Sequence, residues 1–270
     1  MSIQHYFMGI DTGTNSSKGV IIDQNCEIIA THSTEHIMTN PRPGYYEHDA
    51  EKDWWGDFCI ISKALIEKST VNPNDILAVG ISALGADCLP VDENCNPLRQ
   101  AILYGIDSRA VEEIKQLTEM YGEIQIKKWY GRPNPELCAP ICRPEQLAEI
   151  LEANDIAGHV TEKAALETGL AVGTPVITGT DDSGTEAISV GVVSAGKMMI
   201  QFGSSIYMIL GTKELVDDDR LWRENFIVPN LCDISAGTNT AGSLTKWYRD
   251  HLFRMHWNRK IPAVKMPIKL

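Results

Sequence analysis

An α/β fold is what this sequence predicts, and three observations predict it. An apolar run at residues 6–10 delivers Asp11 into a turn of small residues, Gly13-Thr14-Asn15-Ser16, and a second apolar run at 20–22 leads away from it. Residues 199–210 repeat that design, with a strand, a Gly203-Ser204-Ser205 turn and a strand. Between these hairpins, helical and strand periodicities alternate, which is the pattern of an α/β chain.

The elements follow in order. A third strand is expected at 28–33, after the turn Asp23-Gln24-Asn25, and Pro41-Arg42-Pro43-Gly44 makes a loop. Asp49 stands as N-cap of a helix in which Trp54, Phe58, Ile61 and Leu65 recur at i, i+4, i+7 and i+11. The adjacent Trp54 and Trp55 serve either packing or ligand stacking. Residues 77–82 read as a buried strand, and 88–91 with 101–103 as a hairpin around a turn at 92–97. A helix is expected over 108–121, with Val111, Ile114 and Leu117 on one face and Gly122 as terminator. Residues 131–144 are punctuated by Pro and Gly; a short helix is expected near 145–153 and another at 161–168, stopped by Gly169. Residues 175–178 read as a strand and 182–190 as a helix.

Composition bounds the function. Hydrophobic residues make up 43% and charged residues 22%, as in soluble globular proteins. No apolar stretch reaches membrane-spanning length, and no basic region precedes an apolar core at the N-terminus. Neither membrane nor export is therefore expected, and the cytoplasm is the expected compartment. A formal charge of −12 argues against nucleic acid as partner. The seven cysteines include no C-x-x-C pair, so reduced thiols without metal are expected. Residues 251–270 hold five basic residues and no acid. That tail is either a solvated arm or sequence foreign to the domain it follows.

The first turn is built for an anion. Gly13 lets backbone amides approach closely, Thr14, Ser16 and Ser17 add hydroxyls, and Asp11 is a hard-oxygen group suited to Mg²⁺. The order Asp11-x-Gly13-Thr14-x-x-x-Lys18 resembles the first phosphate loop of actin-like ATPases, which is not a Walker loop. Further segments extend the likeness: Ile81 to Asp92, Pro97 to Arg109, Gly173 to Asp182, and Gly203-Ser204-Ser205. In this order the set resembles the FGGY family of carbohydrate kinases, within it the xylulokinase-like members, over about residues 6–143 and 156–250.

The resemblance implies an actin-like (ribonuclease-H-like) fold and an ATP-dependent transfer of the γ-phosphate to a sugar hydroxyl, with a xylulose-like ketose as acceptor. It implies ATP and Mg²⁺ as cofactors and a small-molecule sugar as partner; a homodimer rests on family analogy alone. By position, Asp11, Gly13, Thr14, Ser17 and Lys18 match the first phosphate loop, and Gly203, Ser204 and Ser205 the second. Asp11 is the metal candidate. Asp182, in a Gly-x-x-Asp setting, falls where the family has its catalytic base, with Asp181 as a neighbouring carboxylate. Plain helix N-capping is the other reading of Asp182. On the sugar side stand Ala86, where xylulokinases have a histidine, and Asp87, which otherwise serves the turn. Asp107 and Arg109 match a family Asp-x-Arg, or form an internal ion pair.

Members of this family run to nearly twice 270 residues. The chain is accordingly expected to have a first domain at 1–192 with a deletion near 143–144, the start of a second at 193–254, and an atypical tail at 255–270. Such a kinase could instead be a non-catalytic remnant that binds sugar or an intact kinase. An actin-type ATPase without a sugar substrate is the third reading, and Asp182 with the 81–109 segment speaks against it.

Overall fold

The computed structural model describes residues 4–129, 144–202, 206–216, 218, 220–238 and 240–252. It divides into two units, Met1–Glu186 and Ala187–Leu270.

In the first unit, β1 (Tyr6–Thr12), β2 (Ser16–Asp23) and β3 (Ile28–Glu35) form an antiparallel meander. Strict alternation along β2 buries Ser17, Gly19, Ile21 and Asp23 and leaves Lys18 outside. A short β4 (Glu47–His48) leads to Asp49, whose side chain accepts from the Glu51 and Lys52 amides, as the capping pattern predicts. The helix it starts is wide, π-type, over Ala50–Gly56, and continues as α1 (Asp57–Ser69). Ile61 and Leu65 of α1 are fully buried against the sheet. Gly19 makes that contact close: a Cβ there would strike Ile61 and lie 3.0 Å from Leu65. Truncating either side chain to alanine would cost about 2–5 kcal/mol.

β5 (Ile76–Ala83) adds parallel to β1 on its other side. β6 (Ala101–Ile102) pairs with β4, and the 88–103 hairpin closes only through single bridges at Cys88↔Ile102 and Val91↔Pro97. α2 (Val111–Tyr121) ends at Gly122, as predicted, and α3 (Glu123–Trp129) follows. The helix expected near 145–153 is absent: only a 3-10 turn, Pro144–Gln146, forms, and Leu147, Ile150 and Leu151 stay exposed. An apolar stripe with nothing to bury it does not hold a short helix.

β7 (Ile156–His159) is antiparallel to β8 (Pro175–Ile177), which is parallel to β5. Between them α4 (Glu162–Thr168) is capped by Thr161 and stopped by Gly169 in the left-handed region. The sheet order is β3-β2-β1-β5-β8-β7. After Gly179 (φ 75°), β9 (Thr180–Asp181) resumes pairing along β5. A Cβ at Gly179 would collide with the Ile81 carbonyl, so glycine alone allows the strand to rejoin. The core of Met8, Ile10, Ile21, Ile61, Leu65, Val79, Val160 and Leu170 lies under α1 and α4.

α5 (Asp182–Ser189) leads into the second unit. There β10 (Met198–Phe202), β11 (Ile206–Thr212), β12 (Trp222–Asn225) and β13 (Cys232–Thr238) make an antiparallel sheet in the order β10-β11-β13-β12, followed by α6 (Gly242–His251). Met199, Ile209, Phe226 and Leu231 fill its core. No helix among the described residues is long and apolar enough to cross a membrane.

Candidate active site

Parallel strands bring the first carboxylates together. The β1–β5 register sets Asp11 opposite Ser82, and the β5–β9 register sets Ser82 opposite Thr180 and Ala83 opposite Asp181. Asp11 and Asp181 thus stand at one end of the sheet, two strand spacings or about 10 Å apart along it. The Ser82 hydroxyl donates to Asp11 Oδ1 at 2.6 Å, which orients that carboxylate.

The two neighbouring aspartates divide the labour. Asp181 Oδ1 accepts from the Gly184 amide at 3.0 Å, so Asp181 is the residue that caps α5. Asp182 is bonded only locally, to the amide and hydroxyl of Ser183. One helical turn on, Glu186 was missed by the sequence reading, although its i+4 spacing from Asp182 puts both on one face. Burial, and the nearby charges of Asp182, Asp11 and Asp181, push the Glu186 carboxyl above its ordinary range, with Lys18 opposing them.

The turn after β1 has all four carbonyls engaged. Ser16 O accepts from the Gly13 amide and Asn15 O from the His36 amide, both at 3.1 Å. Gly13 O faces His36 Nε2 at 2.9 Å and Thr14 O faces His48 Nε2 at 3.0 Å. The amides of Thr14 and Asn15 have no protein acceptor among the described residues. Because a trans peptide sets N–H opposite to the preceding C=O, both point away from the histidines. Lys18 is exposed nearby on β2. Ser17 departs from the expectation: its hydroxyl is wholly buried and donates to Asp57 Oδ2 at 2.8 Å, so it supports the turn from below. Gly203, Ser204 and Ser205 lie outside the described residues.

Beside this cluster, within the first unit, opens a cleft of about 770 Å³ whose wall includes Trp54, Trp55, Ala86, Asp87, His159 and Lys163. Ala86 takes a left-handed φ of 62°. Asp87 accepts from the Tyr104 amide at 2.7 Å, and burial raises its pKa above the ordinary carboxylate value. Asp107 and Arg109 are not part of this wall. Their charges are spent on each other: Arg109 donates to both Asp107 oxygens and to Glu47 and lies 4.3 Å over the Tyr45 ring. The Arg109 bonds hold the Asp107 carboxyl down at about 2. The internal ion pair is thus formed.

Comparison with known proteins agrees with this architecture. Residues 6–137 match the FGGY family of carbohydrate kinases, N-terminal domain. A protein of Pasteurella multocida described as a probable L-xylulose kinase is 24% identical over 97% of this chain and 68% of its own length. Two solved structures share the fold. The xylulose kinase from Rhodospirillum rubrum has a TM-score of 0.81 at 18% identity, over 94% of this chain and 64% of that one. The Plasmodium falciparum glycerol kinase with ADP has a TM-score of 0.75 at 16% identity, over 92% and 63%. The fold is thus the α/β, actin-like one of sugar kinases. Residues 6–137 are thus similar to the FGGY carbohydrate-kinase N-terminal domain, and the chain spans about two thirds of the length of these relatives.

Proposed function

We propose that the chain acts in ATP-dependent phosphorylation of a sugar hydroxyl, with a xylulose-like ketose as acceptor. One observation carries the reading: Asp11, Asp182 and the Thr14 and Asn15 amides, which have no protein acceptor among the described residues, all belong to the first unit, beside a cleft that offers Asp87. The chemistry needs positioning and charge neutralisation more than a strong base. The sugar oxygen attacks the γ-phosphorus, the bond to the bridging oxygen of ADP breaks, and the hydroxyl proton passes to Asp182 late in the step. The Thr14 and Asn15 amides, with Gly13 and Lys18, hold the phosphates; Gly203, Ser204 and Ser205 of the second unit are assigned the same task.

Asp11 suits Mg²⁺. Among the described residues, no group of three or more His, Cys, Asp or Glu side chains converges on a direct metal cage, and Mg²⁺ commonly keeps several waters and takes one or two carboxylates. Bound through water to Asp11, it would offset charge on the transferring phosphoryl group. The domain division near 192 and a deletion near 143–144 belong to this proposal. The Pasteurella likeness, which runs over 335 positions against 270 residues in this chain, supports the deletion. Cytoplasmic action on a soluble substrate is part of the same reading.

The test is ADP release by the purified chain with pentuloses, hexuloses, glycerol and no acceptor. Acceptor-dependent release, abolished by Asp182→Asn, is expected. Release indifferent to acceptor would favour an ATPase, and acceptor binding without turnover would favour the non-catalytic reading.

A further inference from the structure

We infer that His36 and His48 are positioning residues that aim the phosphate-binding amides, with His36 acting as an imidazolium clamped between Asp57 and the turn. The inference rests on the phosphate reading of that turn given above.

The bonding pattern fixes the protonation of both rings. His36 Nδ1 lies 2.7 Å from Asp57 Oδ2 and Nε2 lies 2.9 Å from the Gly13 carbonyl. Both partners are acceptors, and only a doubly protonated ring donates at both nitrogens. A neutral His36 would set a lone pair against one of them. His48 is the opposite case. Trp54 Nε1 donates to its Nδ1 at 3.1 Å, so the single ring proton sits on Nε2 and goes to the Thr14 carbonyl at 3.0 Å. The two rings meet edge to face at 4.8 Å. Charge on His36 and burial both disfavour a second proton on His48.

The other groups around the pair fit this assignment. Asp57 stands where the wide stretch passes into α1, and its Oδ2 also accepts from the Ser17 hydroxyl. Asp53, on the preceding wide turn, adds negative charge near His48. His36, His48, Asp57 and Ser17 are all buried, so the carbonyls of the turn are held by groups that water does not reach. By peptide planarity, holding the Gly13 and Thr14 carbonyls inward sends the Thr14 and Asn15 N–H groups outward. Trp54 also walls the cleft, so one residue connects the acceptor side with the phosphate side.

Two measurements test this on the full chain. Nitrogen-15 correlation spectra of the histidine rings at neutral pH should show His36 protonated at both nitrogens and His48 at Nε2 alone. A bare nitrogen on His36, or Nδ1–H on His48, overturns the assignment whether or not nucleotide binds. MgATP titration by calorimetry, with thermal melting as the check on folding, tests the purpose. His36→Leu should weaken MgATP by roughly tenfold, the size of one lost hydrogen bond. His48→Gln, whose carboxamide still donates to Thr14, should stay within a few-fold of the parent. The pair His36→Gln with Asp57→Asn, a neutral chain that keeps a donor to the Gly13 carbonyl, should recover most of the loss. Folded His36→Leu that binds MgATP like the parent overturns the positioning role. Should the parent itself fail to bind MgATP, the phosphate reading falls, while the ring spectra still decide the clamp.

Discussion

The first unit holds two sets of carboxylates, and they are treated in opposite ways. Glu47 and Asp107 are matched by Arg99 and Arg109, with contacts of 2.7–2.8 Å and the Asp107 carboxyl held at about 2. Asp11, Asp181 and Asp182 crowd Glu186, and burial with their charges pushes its carboxyl upward against the pull of Lys18. A fold gains stability from the first arrangement and loses it in the second. Crowded like charges at the ends of parallel strands are retained where chemistry uses them. Asp107 of the first set and Asp11, Asp181 and Asp182 of the second were candidates in the sequence, and their environments separate them.

The sharpest way to break that contrast is to neutralise one member of each set. Asp182→Asn should lower acceptor-dependent turnover by about 10²–10⁴, the loss typical of a missing general base. Asp107→Asn should leave the Michaelis constant for the acceptor unchanged. Parent-like turnover in Asp182→Asn would hand the role to Asp181 or Glu186.

Stability should respond the other way round. Arg109→Ala strands Asp107, while Glu47 keeps Arg99, and should cost about 3–5 kcal/mol, read as a fall in the urea midpoint. The contribution of Asp107 is pH-dependent, because its folded-state pKa lies below its ordinary 3.8. It is present above that value and should be lost as pH falls from there towards about 2. An acid limb that persists unchanged in Asp107→Asn would refute the assignment.

Glu186→Gln should give the smallest effect, a gain of no more than ~1 kcal/mol from relieved repulsion. Its folded-state pKa is raised, so ionisation destabilises the fold as pH rises through that value. The gain should therefore appear near neutrality and vanish below about 4.3, the ordinary glutamate value. A gain independent of pH would place the crowding elsewhere.

Local signals were readable from sequence and long-range ones were not. Asp49, Gly122 and Gly169 punctuate the helices where they were expected to, because caps depend on a few adjacent residues. Ser17 was counted with the phosphate hydroxyls although it shares strand parity with Gly19 and Ile21, and that parity buries it. Periodicity alone suggested a helix near 145–153, but no neighbour covers its apolar face. Strand β13, with Asp233 and Gly237 in its seven residues, lacks a plain alternating run and was not seen. Neither histidine clamp had a sequence signal, since Gly13 meets His36 and Asp57 only after β1, β3 and α1 have assembled.

The wide helical stretch at Ala50–Gly56 sets the rotational phase between two neighbours. Trp54 and Trp55 leave it towards the cleft, and Asp57 follows it towards His36. In an ordinary helix each residue turns the chain by about 100°. Deleting one residue while the stretch keeps its wide winding would swing its two ends out of step by a comparable angle. Either the tryptophans would lose the acceptor wall or Asp57 would lose the histidine. Insertions and deletions of a single residue should therefore be tolerated in the exposed turn around Asn25 and rejected here, where length works as a gear setting.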